Sequence, residues 1–231
     1  MRAAPRGELG TIRIGFTSSA AFNSFVTRTI RDYRAAFPRV GIRLLEDTTA
    51  NLLARFQDRQ IDAAFLRPTR GEAQGLKVVL LRAEPMLVAL PSDHELAGMA
   101  AVPLRQLSKE TFILYPRRNG SALYDAIMEA CRKEGFTPRV GQEAPQMAST
   151  VTLVAAGIGI SIVPASMAHL QAPGVTYRPV KGKVPRAEMS LAYQDEASPA
   201  LTHAFRDLVL ARGHERIGGE AAASTRQPVS S

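Results

Sequence analysis

Between Thr11 and Phe16 the apolar side chains of Ile12, Ile14 and Phe16 alternate with Thr11, Arg13 and Gly15, the period of a strand with one buried face. The alternation stops at Thr17-Ser18-Ser19. A helical spacing then begins at Phe22, Phe25, Val26, Ile30 and Tyr33, which places these side chains on one stripe. A strand, a hydroxyl-rich turn and a helix in this order put backbone N–H groups at the positive end of a helix dipole, where carboxylates, phosphates and sulfates are favoured. Phe37-Pro38 stops the helix. Val40 to Leu45 reads as a second strand, and Asp47-Thr48-Thr49 supplies cap chemistry for a helix bearing Leu52, Leu53 and Phe56. The first design is thus repeated. A third strand, Ile61 to Leu66, leads into Arg67-Pro68, and this alternation of elements predicts a doubly wound α/β sheet.

Further strands are predicted at Leu76–Leu81 and Pro85–Pro91. The pattern resets at Ser92-Asp-His-Glu-Leu96, where the chain is expected to cross into a second lobe. A strand at Thr111–Tyr115 precedes a helix with Ser121 as its cap and Leu123, Ile127, Ala130 and Cys131 as its stripe. A helix over Gln146–Ala156 stops at Gly157 and feeds a strand at Gly159–Pro164. The chain returns through Val175–Val180, recrosses at Lys181–Pro185, and rejoins the first lobe with Met189, Leu191 and Tyr193 alternating. Ser198-Pro199 opens a last helix that Gly213 closes. The expected organisation is lobe I over 11–90 plus 187–217 and lobe II over 91–186, with flexible ends at 1–10 and 218–231.

Composition changes this picture little. The 231 residues are 45% hydrophobic and 22% charged, ordinary for a soluble globular chain, with no apolar run long enough to span a bilayer and no secretory h-region. The single cysteine, Cys131, precludes an intramolecular disulfide and suits the cytoplasm. A net charge of +8 invites a nucleic-acid reading, but the cations are scattered and aromatics make up only 6%, too few for a base-stacking platform. The charge therefore helps to attract an anion without identifying one.

Three stretches carry a resemblance: Gly10-Thr-Ile-Arg-Ile-Gly-Phe16, Arg59-Gln-Ile-Asp-Ala-Ala-Phe65 and Leu153-Val-Ala-Ala-Gly-Ile-Gly-Ile-Ser-Ile-Val-Pro164. In this order and spacing the chain resembles the C-terminal effector-binding domain of LysR-type transcriptional regulators, over about Leu9 to Arg216. Tyr115-Pro116, Gly135-Phe136-Thr137-Pro138 and Pro164-Ala165-Ser166 extend the likeness towards the benzoate- and muconate-responsive branch, which serves aromatic catabolism. The resemblance implies two Rossmann-like lobes with mixed sheets, as in type 2 periplasmic binding proteins, and a small aromatic or dicarboxylic acid as inducer in the interlobe cleft. It also implies a homodimer or tetramer, no cofactor, and promoter DNA reached only through an N-terminal winged helix-turn-helix. Only ten residues precede the first strand, too few for such a module, so an isolated sensory half is expected.

By the same resemblance, Thr17, Ser18 and Ser19 fall on the first ligand-holding turn and Thr49 on the second. Ser121 to Leu123 fall on the segment where the other lobe touches the ligand, Met147 on the helix start facing it, and Arg67 at the cleft edge. Arg59 stands where relatives have a helix-ending glycine. Gln146 stands where some carry a glutamate that meets the cleft arginine, which implies a more positive pocket. Arg117 and Arg118 replace small residues.

No catalytic constellation is found. Gly157-Ile158-Gly159 lies between a helix and a strand, the reverse of a dinucleotide fingerprint. His94, His169, His203 and His214 are too far apart to read as a metal set, and Ser18 and Ser19 lack a G-x-S-x-G frame. A solute-binding protein for transport of a small anion is the alternative on the same fold, and it would need export or a membrane anchor.

Overall fold

The computed structural model describes residues 10–182, 186–195 and 199–215. In chain order its first half contains β1 (Thr11–Phe16), α1 (Ser18–Ala21), α2 (Ser24–Ala36), β2 (Gly41–Glu46), α3 (Thr49–Gln57), β3 (Ala63–Leu66), β4 (Lys77–Glu84), β5 (Met86–Pro91), β6 (Val102–Pro103) and β7 (Thr111–Leu114). There follow α4 (Ser121–Lys133), β8 (Arg139–Glu143), α5 (Met147–Ala155), β9 (Ser161–Pro164), β10 (Val175–Lys181), β11 (Ala187–Tyr193) and α6 (Ala200–Glu215), with short 3-10 turns between several of them. No helix among the described residues is long and apolar enough to cross a membrane.

One sheet has the order β2-β1-β3-β11-β4. β1 runs parallel to β2 and β3, and the returning β11 is antiparallel to both its neighbours. All four residues of β3 are buried, as expected for a strand covered on both faces. On one face Ile12 and Ile14 meet Phe25, Val26 and Tyr33 of α2 and Phe205 and Val209 of α6. Phe205 stands edge-on to both Tyr33 and Phe65, a favourable ring geometry. On the other face Leu52 and Phe56 of α3 cover Ile61, Ala64 and Leu66.

The second sheet has the order β6-β10-β5-β9. The parallel pair β7-β8 joins it through Ile160, which bridges to Phe112. The fold is α/β with mixed sheets in two lobes, as the sequence predicts.

Several boundaries differ from expectation. β5, assigned by sequence to the first lobe, is antiparallel to β10 and β9 in the second sheet, so the first crossing lies at Glu84-Pro85 and not at Ser92–Leu96. The return crossing lies between β10 and β11, in part outside the described residues. The helix expected from Phe22 is α2, which starts with Asn23 as its cap, the Asn23 side chain accepting from the Phe25 N–H, and a separate four-residue helix, α1, occupies the expected turn. Gly120, not Ser121, is the cap position of α4, and α6 runs through Gly213 to Glu215. The ends expected to be flexible lie outside the described residues apart from Gly10.

Two backbone positions explain themselves physically. Arg59 ends α3 in the left-handed conformation, φ 50°, while the Gln60 N–H closes the turn on the Arg55 carbonyl at 2.9 Å. This is a glycine-type helix terminus built with an arginine. Gly159 instead answers to a close approach: a Cβ there would lie 2.3 Å from the Thr111 carbonyl oxygen, where the chain runs against β7. The Gly157-Ile158-Gly159 motif thus serves a helix end and a strand contact.

Replacing Arg59 by glycine removes the left-handed penalty on an exposed side chain and should stabilise the fold by about 0.5–1 kcal/mol, a rise in Tm of about 2–3 °C. Gly159→Ala forces β7 and the approach to β9 apart and should cost about 2 kcal/mol, lowering Tm by about 4–8 °C. Thermal unfolding of both variants checks these signs.

Candidate functional site

β3 delivers Arg67 to the seam between the lobes, and Pro68 turns the chain away behind it. Arg67 is 4% exposed. Its Nε donates to Ser19 Oγ at 3.2 Å and its Nη2 to Glu84 Oε1 at 2.6 Å. Nη1 is buried and has no hydrogen-bond partner among the described residues. Burial pulls the guanidinium down from its ordinary pKa, and the Glu84 charge opposes that pull. Arginine starts so high that it stays charged.

Glu84 is the last residue of β4, one step before the crossing. Its Oε1 also accepts from Asn23 Nδ2 at 3.3 Å, and its Oε2 accepts from the Ser166 N–H of the second lobe at 2.7 Å. One carboxylate therefore holds the arginine, the start of α2 and the opposite lobe. Gln146 does not line the arginine's cavity. The expected more positive pocket does not follow, because Glu84 supplies the counter-charge.

Arg67 lines a cavity with Thr17, Ser18, Ser19 and Thr49 on the first lobe, closed by Tyr115, Gly120, Leu123 and Met147 on the second. Seven of the eight residues singled out from the sequence meet there. Ser121 does not: its hydroxyl turns outward and donates to Glu72 Oε1. Ser18 Oγ spans the lobes, accepting from the Met147 N–H at 3.1 Å. Thr17 Oγ1, like Arg67 Nη1, is buried without a partner among the described residues. The cavity holds only about 20 Å³, enough for about one water molecule.

The helix starts contribute less positive potential than the sequence reading expects. α1 is a single turn, so little dipole stands behind Ser18 and Ser19. The first turn of α3 is capped by its own chain, since Thr48 Oγ1 accepts from Asn51 N at 3.2 Å. The Met147 N–H at the start of α5 is taken by Ser18. The cationic group in the cavity's wall is the arginine, paired with Glu84. Arg117 and Arg118 are exposed and paired with Asp125 and Glu143, away from the cavity.

Glu84, Tyr115, Gly120 and Glu72 were not named as site residues from the sequence. Tyr115, its hydroxyl donating to the Asn119 carbonyl at 3.0 Å, has its pKa raised, chiefly by burial. Cys131 is buried in the second core, its thiol pushed up to about 12 by burial, which leaves it unreactive. A larger open depression of about 620 Å³ lies beyond Glu84. Its wall is already engaged: Arg82 lies 4.7 Å over the Phe25 ring, and His169 Nδ1 is 3.0 Å from the Phe22 carbonyl.

The model of the LysR substrate binding domain matches residues 5–213. The chain is 30% identical over 189 residues to the transcriptional regulator BudR of Raoultella terrigena, covering 82% of this chain and 65% of BudR. It is 34% identical over 197 residues to the uncharacterized transcriptional regulator YnfL of Escherichia coli, covering 84% of this chain and 66% of YnfL. The chain thus spans just under two thirds of each of these relatives, which are transcriptional regulators and not enzymes. Among solved structures, the BenM effector binding domain with its effector benzoate superposes with a TM-score of 0.77 at 27% identity, over 96% of both chains; BenM is a regulator of Acinetobacter baylyi. The family model runs through both sheets and every residue that lines the arginine's cavity, and the chain belongs to the LysR substrate binding domain family.

Proposed function

We propose that this chain is the ligand-sensing domain of a LysR-type DNA-binding transcriptional regulator, and that a small aromatic or dicarboxylic acid binds between its lobes. The observation that carries this reading is Arg67 Nη1, a buried cationic donor with no partner among the described residues, in the same cavity as the unpartnered Thr17 hydroxyl. Leaving such groups unsatisfied costs about 1–3 kcal/mol each, and a carboxylate would accept from both. Ser19 and Thr49 complete the polar wall, while Leu123 and Met147 offer apolar surface to the body of the acid. BenM with its effector benzoate, though only 27% identical, supports an aromatic acid.

A cavity of about 20 Å³ is far smaller than the several hundred Å³ of a typical small-molecule site, so the effector enters only when the lobes part. Parting breaks the Ser18–Met147 hydrogen bond, and closure around the acid must use its own contacts. The ligand can shift the equilibrium only by its differential affinity for the two arrangements, and that difference is the signal. In the whole regulator, a cytoplasmic homodimer or tetramer would carry it to promoter DNA through an N-terminal winged helix-turn-helix.

Thr17→Val keeps the side-chain shape and removes the orphaned hydroxyl. Stability and binding should move in opposite directions. The ligand-free variant should gain about 1 kcal/mol, a Tm higher by about 2–4 °C. Its affinity for benzoate should fall about tenfold, as expected for losing one hydrogen bond to a carboxylate. Calorimetric titration of both proteins with benzoate, alongside a thermal-shift screen of aromatic and dicarboxylic acids, is the test. Unchanged benzoate affinity in the variant, or no response to any acid, would rule the reading out.

A further inference from the structure

Beyond Thr49 and Gly120 the arginine's cavity meets an outer chamber of about 310 Å³, whose walls include those two residues together with Glu72, Arg117, Arg118 and Ser121. An acid anchored on Arg67 and extending between Thr49 and Gly120 would project its far end into this chamber. The pass is narrow: a Cβ on Gly120 would sit 3.2 Å from Tyr115 Cε1 and 3.5 Å from Thr49 Oγ1.

The chamber already contains a carboxylate. Glu72 lies on the loop between β3 and β4, the same loop that starts from Arg67. Its Oε1 accepts from the Ser121 hydroxyl on the second lobe, and its Oε2 accepts from the Thr69 N–H at 2.8 Å. These bonds and the Arg117 charge hold its carboxyl below the usual range against the opposing effect of burial. Ser121 opens α4, a helix of 13 residues with no side-chain cap at Gly120, so Glu72 also meets the positive end of that dipole. Arg117 and Arg118 do not reverse the balance, because each is paired with a carboxylate of its own, Asp125 and Glu143. Glu72 forms no salt bridge of its own among the described residues, and it is the carboxylate in the chamber's wall.

The loop is lightly held elsewhere. A further void of about 240 Å³ lies beneath it, bounded by Phe56, Glu72 and Gly75 among others. Gly71 and Gly75 adopt positive φ, and a Cβ on either would meet nothing within 4 Å. The Glu72–Ser121 bond is thus a clasp across the lobes made by a loop with room to move.

We infer that Glu72 sets the specificity of the cleft: its carboxylate fills the place of an effector's second anionic group, so that the domain selects monocarboxylic acids with an uncharged far end over dicarboxylic acids. This rests on the anion-cleft reading above and narrows it. A second carboxylate entering the chamber would face Glu72 as a like charge and would compete with it for the Ser121 hydroxyl. An uncharged ring edge leaves the clasp intact.

The test is calorimetric titration of the wild-type chain, Glu72→Ala and Glu72→Gln with benzoate and with terephthalate, which carries a second carboxylate opposite the first on the same ring. The wild type should bind benzoate at least tenfold more tightly than terephthalate. Glu72→Ala should shrink that preference at least tenfold, because loss of the Ser121 clasp acts on both acids alike and cancels in the ratio. Glu72→Gln, which removes the charge and keeps the bulk, should fall between. Equal binding of the two acids by the wild type, or an unchanged preference in Glu72→Ala, overturns the inference while leaving the cleft reading standing. A chain that binds neither acid, as wild type or as Glu72→Ala, overturns the inference, and with silence across the whole acid screen the cleft reading falls too.

Discussion

A guanidinium taken out of water must be compensated almost completely, because an unpaired buried charge costs several kcal/mol. In this domain the compensation is deliberately local and incomplete. Glu84 neutralises Arg67 through Nη2, Ser19 accepts from Nε, and Nη1 is left without a partner among the described residues. Buried ion pairs are often no more stabilising than apolar residues of the same volume, so stability alone does not account for this pair. Its position does: Glu84 sits at the step where the chain leaves one sheet for the other, and it also accepts from Ser166 of the far lobe. The remaining hydrogen-bonding capacity of the arginine and the relative placement of the lobes are therefore tied to the same carboxylate.

This connection gives the sensing step a physical form. A closed cleft held by Ser18 on the Met147 N–H and by Glu72 on Ser121 has little room around Arg67 and leaves Arg67 Nη1 and Thr17 Oγ1 without partners among the described residues. An anion that satisfies them makes closure more favourable than before, provided its shape is compatible with the clasps. Arrangements that differ by a few kcal/mol are moved by contacts of this size. The cores on either side are built from α2, α3 and α6 around one sheet and from α4 and α5 around the other.

Much of the fold was legible because buried strands and helices print their period on the chain. β1, α3 and α4 were readable for that reason, and the hydroxyls of Ser19 and Thr49 stood out at the ends of strands. Sheet membership was not legible: β5 is an apolar run that reads the same in either lobe, and only its pairing with β9 and β10 places it. β8 escaped because all five of its residues are exposed. At the site, Arg67 was visible at a strand end, but its partner Glu84 is 17 positions away across a loop and a strand, and no local pattern marks such a pairing. The Ser121 hydroxyl shows the converse: a helix-start serine reads as a cap, yet its bond goes to another lobe.

If Arg67 Nη1 anchors an anionic effector as proposed, a crystal structure of the chain grown with benzoate shows it most directly. The expected result is a benzoate carboxylate oxygen within about 3 Å of both Arg67 Nη1 and Thr17 Oγ1, with the Arg67–Glu84 pair still in place. Benzoate lodged elsewhere, or absent from the cleft with a fixed water on Nη1 instead, would contradict it.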